Sequence, residues 1–362
     1  METSLTVLIK IIQLYFNIIT EVEWFTFARN LRIDWNKVMY LAKVNQIIPL
    51  LYDVVNSDNF VDCPVEIKKE LKKHTLPSVI GGLCQMSQIH EIQQNLNDNG
   101  IKNILHKGMF YSSLCYKSIS HREAGDIDII INKSDIKVAD LVLTNLGYVS
   151  DIVNNNDEIG SYKNGLDYHL NYKKKGDSTV NLELHWSHSS IRTIIDLKTD
   201  KIVSEMAIYE TDKSPIWGCS LESTLLLMLT HHSSKEGWTK LKYLCDFTGF
   251  LINYGDVINW KQIEIEATKA NITEHLIIGL WLVKSRLQYN LKIENVEAMN
   301  YVNAHSLKMF FEPYWGNNKQ KSKFYYINYN LRVHKELGLR FILITRHFRR
   351  FMAYLLFEYN NR

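Results

Sequence analysis

The sequence lacks the features of a membrane protein and of a disulfide-bonded secreted protein. No apolar run reaches the ~18 residues that a membrane-spanning helix requires. Five cysteines occur, but they form no Cys-x-x-Cys pair and have no histidines at ligand spacing, which predicts reduced thiols rather than disulfides or a zinc site. The apolar segment 5–19 follows Glu2 and is interrupted by Lys10, so we interpret it as a core helix and not as a secretory signal. We therefore expect a cytoplasmic protein.

Proline is also scarce, and neither sign of charge dominates. Five prolines and few runs rich in glycine or serine argue against long flexible linkers. The net charge of +3 is too small to imply a nucleic acid partner by itself. The chain has 362 residues, of which 46% are hydrophobic. This is sufficient for two or three globular domains with an ample core.

The hydrophobic period divides the chain into three regions. Residues 1–99 show the 3.6-residue period of helices, residues 100–190 alternate strands with helices, and helices return over 191–362. The helices predicted in the first region cover 5–20, 35–56, 64–74 and 79–98. This order predicts an α+β fold, with a mixed β-sheet core between an N-terminal helical region and a C-terminal helical domain.

Several local signals indicate where elements begin. Asp34 and Asn259 each precede a tryptophan and are predicted to cap a helix, as is Ser134 before a helix over 135–146. Helices of the C-terminal region are predicted to begin at Leu221, Leu241, Trp260, Glu274 and Asn295. The turn 175–177 predicts a hairpin between strands near 168–172 and 179–186. The segment 153–165, rich in asparagine and glycine, is predicted to be a flap near the site.

The most informative motif is Gly-Asp-Ile-Asp-Ile-Ile-Ile at residues 125–131. Alternate residues of a strand share a face, so Asp126 and Asp128 point the same way at the start of an apolar strand. Two carboxylates held this close repel each other and usually need a cation between them. Oxygen ligands of this kind suit Mg²⁺, which also binds substrate phosphates. The motif therefore predicts a metal site that handles phosphate.

Two further segments strengthen that prediction. A strand over 101–106 runs through Lys107-Gly108 into a helix, and such a junction presents backbone N–H groups and a positive dipole end to an anion. Downstream, a second alternating strand places Asn181, Glu183 and His185 on its polar face. A third carboxylate is what two-metal phosphoryl chemistry requires, either as a ligand or as the base for an attacking hydroxyl.

Together these segments carry a resemblance to a known family. Lys107-Gly108, Tyr116, Arg122, Gly125–Asp128 and Glu183–Trp186 resemble the motifs of the uncharacterised nucleotidyltransferase family, within the DNA polymerase β-like nucleotidyltransferase superfamily. The resemblance extends over about residues 30–290. The chain is also similar, more distantly, to toxin nucleotidyltransferases with a Lys-Gly-Gly…Arg…Asp-Ile-Asp pattern, although Met109 replaces their second glycine.

The resemblance implies an activity and a set of site residues. The expected reaction is transfer of NMP from an NTP to a hydroxyl acceptor with release of pyrophosphate, with Mg²⁺ or Mn²⁺ as the cofactor, and residues 100–190 would form the catalytic core. The residues expected to be both catalytic and metal-binding are Asp126, Asp128 and Glu183. Those expected to bind the nucleotide are Lys107, Gly108 and Arg122. The candidates for contact with the acceptor are His185 and Asp246.

Several of these residues also have a structural interpretation. Arg122 can form a structural salt bridge instead, and His185 can be a satisfied polar residue of the sheet. Asp246 lies among apolar residues and needs an arginine, a histidine or the substrate as its partner, because buried acids are rarely unpaired. His231 and His232 are predicted to have a core or capping role.

The sequence does not determine the identity of the acceptor. The modest net charge favours a small-molecule acceptor, although a tRNA 3′ end or a protein hydroxyl is also compatible with the sequence. The alternative from a different functional class is a non-catalytic module that binds a nucleotide or a partner. Residues 319–350 form a basic tail with interleaved aromatic residues, a composition that can bind a polynucleotide. Because the apolar residues of the tail recur at helical spacing, we favour an amphipathic helix with a solvated basic face.

Overall fold

A computed structural model of the protein describes residues 4–58, 60, 62–150, 168–188, 194–211, 215–291, 314–316, 324–334 and 336–360. Within these ranges, the side chains of 177–179 and 349–360 are not described. The predicted flap at 153–165 and the predicted helix start at Asn295 lie outside the described residues. The fold is a mixed five-stranded sheet with helices before and after it, as the α+β prediction states.

Among the described residues, five α-helices precede the sheet. They are α1 (Ser4–Tyr15), α2 (Glu21–Ala28), α3 (Trp35–Val44), α4 (Ile48–Val55) and α5 (Val65–Asp98). Asp34 accepts a hydrogen bond from the Lys37 backbone N–H at 3.0 Å, which confirms the predicted cap of α3. The helix predicted over 35–56 is interrupted at Gln46, whose φ is +56°, and Pro49 lies in the first turn of α4.

The helices predicted over 64–74 and 79–98 form one 34-residue helix, α5. Pro77 lies inside it and removes one backbone N–H donor. The helix continues because buried residues on both sides of the proline, such as Leu71 and Ile89, hold it against the core. Packing therefore overrides the local breaking signal.

The sheet has the strand order β1-β2-β5-β4-β3. Its strands are β1 (Asn103–His106), β2 (Asp126–Ile131), β3 (Tyr148–Ser150), β4 (His169–Lys174) and β5 (Asp177–His185). β2 and β5 are parallel, whereas the other neighbours are antiparallel. The predicted hairpin is confirmed as β4–β5, with Gly176 at φ +79° in its turn. The apolar run of β2 is buried, as expected for a central strand with a parallel neighbour.

Within the described part of the chain, two α-helices lie between strands of the sheet. α6 (Gly108–Cys115) follows β1, and α7 (Ile136–Asn145) follows β2. The predicted cap by Ser134 is wrong, because a short 3₁₀ turn at Lys133–Asp135 precedes α7. The Ser134 hydroxyl donates to the Asp135 carboxylate at 2.9 Å and does not accept a hydrogen bond from a backbone N–H of α7.

The region after residue 190 is mostly helical. The helices described there are α8 (Thr199–Ser204), α9 (Leu221–Leu229), α10 (Leu241–Tyr254), α11 (Trp260–Lys269), α12 (Thr273–Arg286), α13 (Tyr325–Val333) and α14 (Leu337–Asn360). The predicted starts at Leu221, Leu241 and Trp260 are confirmed, and α12 begins one residue before the predicted start at Glu274. A π-helical turn at Thr230–Lys235 extends α9. Asn259 caps α11 through the Gln262 backbone N–H at 3.1 Å, as predicted.

One feature of this region differs from the all-helical prediction. β6 (Ala207–Tyr209) and β7 (Ile216–Gly218) form a small antiparallel sheet. The Gln93 side chain of α5 donates to the Trp217 carbonyl at 2.8 Å and accepts from the Trp217 N–H at 3.1 Å. The side-chain amide of Gln93 therefore satisfies the backbone hydrogen-bonding groups at the outer edge of β7. Because Gln93 is distant in sequence, the local sequence cannot indicate this contact.

One hydrophobic core runs through all three regions. It includes buried residues from the N-terminal helices, from the sheet and from the C-terminal helices, such as Leu8, Ile129 and Phe247. All five cysteines are free thiols, as expected, and four of them are buried. None of the described helices combines the length and the apolar character that crossing a bilayer demands.

The packing of α10 against α6 gives a stability prediction. A Cβ atom added at Gly249 of α10 would lie 2.0 Å from the Cys115 carbonyl oxygen at the end of α6. We expect Gly249→Ala to lower the free energy of unfolding by about 1–3 kcal/mol or more, because backbone would have to move. Urea unfolding followed by circular dichroism measures this change.

Gly81→Ala is the matched control for that substitution. Gly81 also lies inside a helix, α5, but beyond its chain neighbours and the adjacent backbone of α5 no described atom is within 4 Å of its added Cβ. The higher helix propensity of alanine should make this variant more stable by about 0.5–1 kcal/mol. Equal effects at the two glycines would contradict the close contact between α10 and α6.

Candidate active site

Polar side chains from four adjacent strands meet on one face of the sheet. Paired residues of neighbouring strands point to the same face. The register across β1, β2, β5 and β4 therefore makes one row of His106, Asp128, Glu183 and Asn171. The rows on either side of it contain Asp126, His185 and His169. The face thus gathers side chains from well-separated parts of the sequence.

The three carboxylates predicted from sequence lie together on this face. Asp126, Asp128 and Glu183 can each present an oxygen within 4.8 Å of the others. Asp128 is the most deeply placed, with a side chain only 1% exposed, whereas the Glu183 side chain is 26% exposed. The parallel pairing of β2 with β5 sets this proximity, because Asp128 is directly opposite Glu183.

Lys107 reaches the buried carboxylate from the turn between β1 and α6. Its Nζ atom lies 2.6 Å from Oδ1 of Asp128. Lys107 has a φ of +56° and a ψ of −148°, a backbone region in which a non-glycine residue is strained by about 1–3 kcal/mol. Gly108 follows with a φ of +42°, and a Cβ there would lie 3.0 Å from the Asp126 carbonyl oxygen. The turn is therefore packed tightly on the start of β2.

His185 links two of the three carboxylates. Its Nε2 atom lies 2.9 Å from Oδ1 of Asp128 and 3.1 Å from Oε2 of Glu183. Oδ1 of Asp128 thus has both Lys107 and His185 as neighbours. The other oxygen, Oδ2, is buried and has no hydrogen-bond partner among the described residues.

The environment separates the pKa values of these groups. Burial, together with the charge of Asp128, raises the pKa of Asp126. Burial would also raise the pKa of Asp128, but Lys107 and His185 outweigh it and hold this pKa well below its usual range. A hydrogen bond from His185 lowers the pKa of Glu183. The ionised forms of Asp128 and Glu183 are therefore stabilised in the folded protein.

The donor set fits a divalent cation. The carboxylates of Asp126, Asp128 and Glu183 carry three negative charges when ionised, and the Lys107 ammonium group carries one positive charge. These four groups alone therefore leave a net charge of −2, which one divalent cation would neutralise. Hard oxygen donors are what Mg²⁺ prefers, and Oδ2 of Asp128 is a buried oxygen that lacks a partner within the described part of the chain. The residues present therefore fit the metal that the sequence motif predicts.

The structure pairs Arg122 and Asp246 with each other, away from solvent. The guanidinium donates to both carboxylate oxygens, from Nε at 2.8 Å and from Nη2 at 3.0 Å. Tyr116 donates to the same carboxylate at 2.7 Å, and Nε2 of His232 lies 3.0 Å from it. Of the three partners considered for Asp246, the structure thus shows an arginine and a histidine. His232 lies in the core, as predicted.

Arg122 also connects this ion pair to the turn before α6. Its Nη1 atom donates to the Gly108 carbonyl at 3.1 Å. Asp246 belongs to α10, so one side chain joins the C-terminal helices to the residue that begins α6. Burial would raise the pKa of Asp246, but Arg122 outweighs it and holds that pKa well below its usual range.

Sequence reasoning missed three residues near the site. His106 and His169 join the polar face through cross-strand pairing, which only the register reveals. Burial lowers the pKa of both histidines, so both favour the neutral form. Lys242 of α10 lies close enough to help lower the pKa of Asp126, and burial with the nearby Arg122 lowers its own pKa to about 8. The only sequence signal for Lys242 was its position four residues before Asp246.

The buried pair yields a prediction about stability. Arg122→Met would leave the Asp246 carboxylate buried without its cation, and we expect the free energy of unfolding to fall by about 3–5 kcal/mol. The measurement is urea unfolding at pH 7. The pKa of Asp246 is lower folded than unfolded, so the stabilisation is fully present above about pH 4 and is lost as pH falls.

Two further variants test the cause of that loss. Lys198→Met removes a lysine from an exposed ion pair with Asp196 and should change stability by no more than about 1 kcal/mol. The double variant Arg122→Met/Asp246→Leu removes both charges and should recover part of the loss. A double variant no more stable than Arg122→Met would contradict the explanation by an uncompensated charge.

Comparison with known proteins identifies the family. The model of the family described as uncharacterised nucleotidyltransferase matches residues 32–288, well over half of the chain. Among solved structures, the chain is similar to the antibiotic-resistance factor ANT(2'')-Ia, at 12% identity and a TM-score of 0.33, covering 54% of this chain and 95% of that one. No curated protein matches the sequence. The family match agrees with the resemblance found in the sequence motifs, and the chain belongs to the uncharacterised nucleotidyltransferase family.

Proposed function

We propose that the protein is a metal-dependent nucleotidyltransferase that transfers NMP from an NTP to a hydroxyl group and releases pyrophosphate. The observation that carries this proposal is the meeting of Asp126, Asp128 and Glu183 within 4.8 Å, in a chain of a nucleotidyltransferase family. The free thiols support a reducing, cytoplasmic location as part of the same proposal.

The three carboxylates would hold Mg²⁺ or Mn²⁺. The ion, when bound, would neutralise charge on the nucleotide phosphates. Oδ2 of Asp128 is available for it, while Oδ1 is held by Lys107 and His185. His185 would thereby keep Asp128 and Glu183 in fixed orientations without contacting the nucleotide.

The turn at Lys107-Gly108 would receive the terminal phosphates. The first N–H groups of a helix have no intrahelical partners and attract anions, and α6 begins at Gly108. An ammonium group has three hydrogen-bond donors, so Lys107 can contact a phosphate while it keeps its hydrogen bond to Asp128. Arg122 would support nucleotide binding indirectly, because it holds the Gly108 carbonyl and pairs with Asp246.

The reaction itself needs little covalent chemistry from the protein. The acceptor oxygen would form a bond to the α-phosphorus as the bond to pyrophosphate breaks, and the acceptor proton would pass to a carboxylate of the site. Glu183 is partly exposed and would either take this proton or complete the metal ligands. Catalysis would then consist mainly of positioning and charge neutralisation.

The central test is transfer of label from each α-³²P-NTP into total cell extract with Mg²⁺ or Mn²⁺. We expect transfer by the wild type, and a loss of about 100-fold or more in Asp126→Asn and in Asp128→Asn, since a metal ion contributes several kcal/mol to such reactions. Chelation by EDTA should abolish transfer.

Asp200→Asn, which removes an exposed acid at the start of α8, should retain full transfer as the matched control. Near-wild-type turnover by Asp128→Asn would show that the metal assignment is wrong. Absence of label with every nucleotide, together with measurable NTP binding, would favour a non-catalytic nucleotide-binding module.

The same assay distinguishes the acceptor classes. We favour a small-molecule acceptor over RNA such as a tRNA 3′ end or a protein, because the net charge is only +3. Label should then appear in the small-molecule fraction, with little change between about 50 and 200 mM salt, whereas binding of a polynucleotide would weaken steeply over that range. Label in RNA with a steep salt dependence would contradict this preference.

A further inference from the structure

A second cluster of potential metal ligands lies beside the three carboxylates. His169, Glu183 and His185 each offer one ligand atom, and the three atoms lie within 4.8 Å of one another. Glu183 belongs to both clusters, whereas Asp126 and Asp128 belong only to the first. The second cluster therefore differs in chemistry, because two of its three donors are imidazole nitrogens.

The β4–β5 hairpin builds this second cluster. His169 and His185 are directly opposite each other in the antiparallel register. Glu183 precedes His185 by two residues and so projects from the same face of β5. The two imidazole rings have centroids 5.0 Å apart, with an angle of 35° between their planes. All three side chains thus come from regular strands, which hold ligands more precisely than loops do.

One ring nitrogen of His169 lacks a partner. Nδ1 of His169 is buried and has no hydrogen-bond partner among the described residues. A buried polar atom without a partner is costly, and such atoms call for an explanation such as an ion. An ion bound to Nδ1 of His169 would take up its lone pair and remove that cost.

His185 has the surroundings of a metal-binding histidine. Its Nε2 atom lies 2.9 Å from Oδ1 of Asp128 and 3.1 Å from Oε2 of Glu183, so Nδ1 is the ring nitrogen left for an ion. Histidine ligands almost always donate their second ring N–H to a carboxylate, a carbonyl or water, and this contact fixes the tautomer and the ring orientation. Asp128 can therefore orient His185 without being a ligand in the second cluster.

We propose that His169, Glu183 and His185 form a binding site for a divalent transition-metal ion, with Zn²⁺ as its best-suited occupant. Two imidazoles and one carboxylate are a recurrent zinc ligand set that leaves a position open. Mg²⁺ prefers oxygen donors and belongs with the carboxylate cluster. The binding of Zn²⁺ does not depend on the proposed transferase activity, although the shared Glu183 couples the two sites.

The test is titration of the full chain with Zn²⁺ alone, by calorimetry and by the Zn²⁺-induced shift in Tm. We expect the wild type to bind one ion at this site and His169→Asn to bind it about 100-fold more weakly, because even residues that only support a ligand change affinity by about 10–100-fold. Substitution with Co²⁺ adds an independent readout, since nitrogen ligation would give visible d–d absorption that His169→Asn lacks.

Two variants separate the two sites, and a third is the control. Asp126→Asn removes a ligand of the carboxylate cluster only and should keep the Zn²⁺ affinity. Glu183→Gln should weaken both Zn²⁺ binding and Mg²⁺-dependent transfer. His74→Asn, which changes a half-exposed histidine of α5, should match the wild type and serves as the control for nonspecific imidazole binding.

The outcomes that overturn the proposal are distinct from failure of the transferase function. Equal Zn²⁺ affinity in wild type and His169→Asn would place the ion elsewhere, and absence of Zn²⁺ binding to the wild type would remove the site. Equal losses in His169→Asn and Asp126→Asn would show one site instead of two. Failure of label transfer alongside Zn²⁺ binding that requires His169 would reject the transferase function and leave the zinc site standing.

Discussion

The buried carboxylate of Asp128 is the constraint on which the rest of the site depends. Its side chain is 1% exposed, and an ionised carboxylate cannot remain in such a place without compensation. Lys107 and His185 both approach one of its oxygens, from the turn before α6 and from the neighbouring strand β5. The strained turn at Lys107 and the parallel pairing of β2 with β5 together bring these two side chains to a single carboxylate.

A second buried ion pair fixes the surroundings of the first. Arg122 and Asp246 join the segment before β2 to α10, and the same guanidinium holds the Gly108 carbonyl. Gly108 in turn packs against the backbone of Asp126. The turn that begins α6 is therefore held by the sheet on one side and by the C-terminal helices on the other, so the helical region contributes to the geometry of the polar face.

Local signals predicted the parts of this structure that depend on neighbours in sequence. The period-2 pattern of β2 predicted that Asp126 and Asp128 share a face, and Asp34 and Asn259 were recognised as caps because a cap acts within one helical turn. The place of His169 could not be predicted, because it depends on which residue of β5 lies opposite. The β6–β7 sheet depends on a contact with Gln93, and the continuation of α5 through Pro77 depends on contacts with the core. Both involve residues far apart in the sequence, so a short segment of sequence could not predict them.

The parallel pairing of β2 with β5 has a consequence for the route by which the chain reaches its native state. Asp128 and Glu183 are paired across a long stretch of sequence, and closing a loop of that length costs entropy before any contact repays it. The β4–β5 hairpin needs only a short turn and can form locally. We therefore expect the hairpin to dock on β2 as a preformed unit, so that the carboxylates meet late in folding.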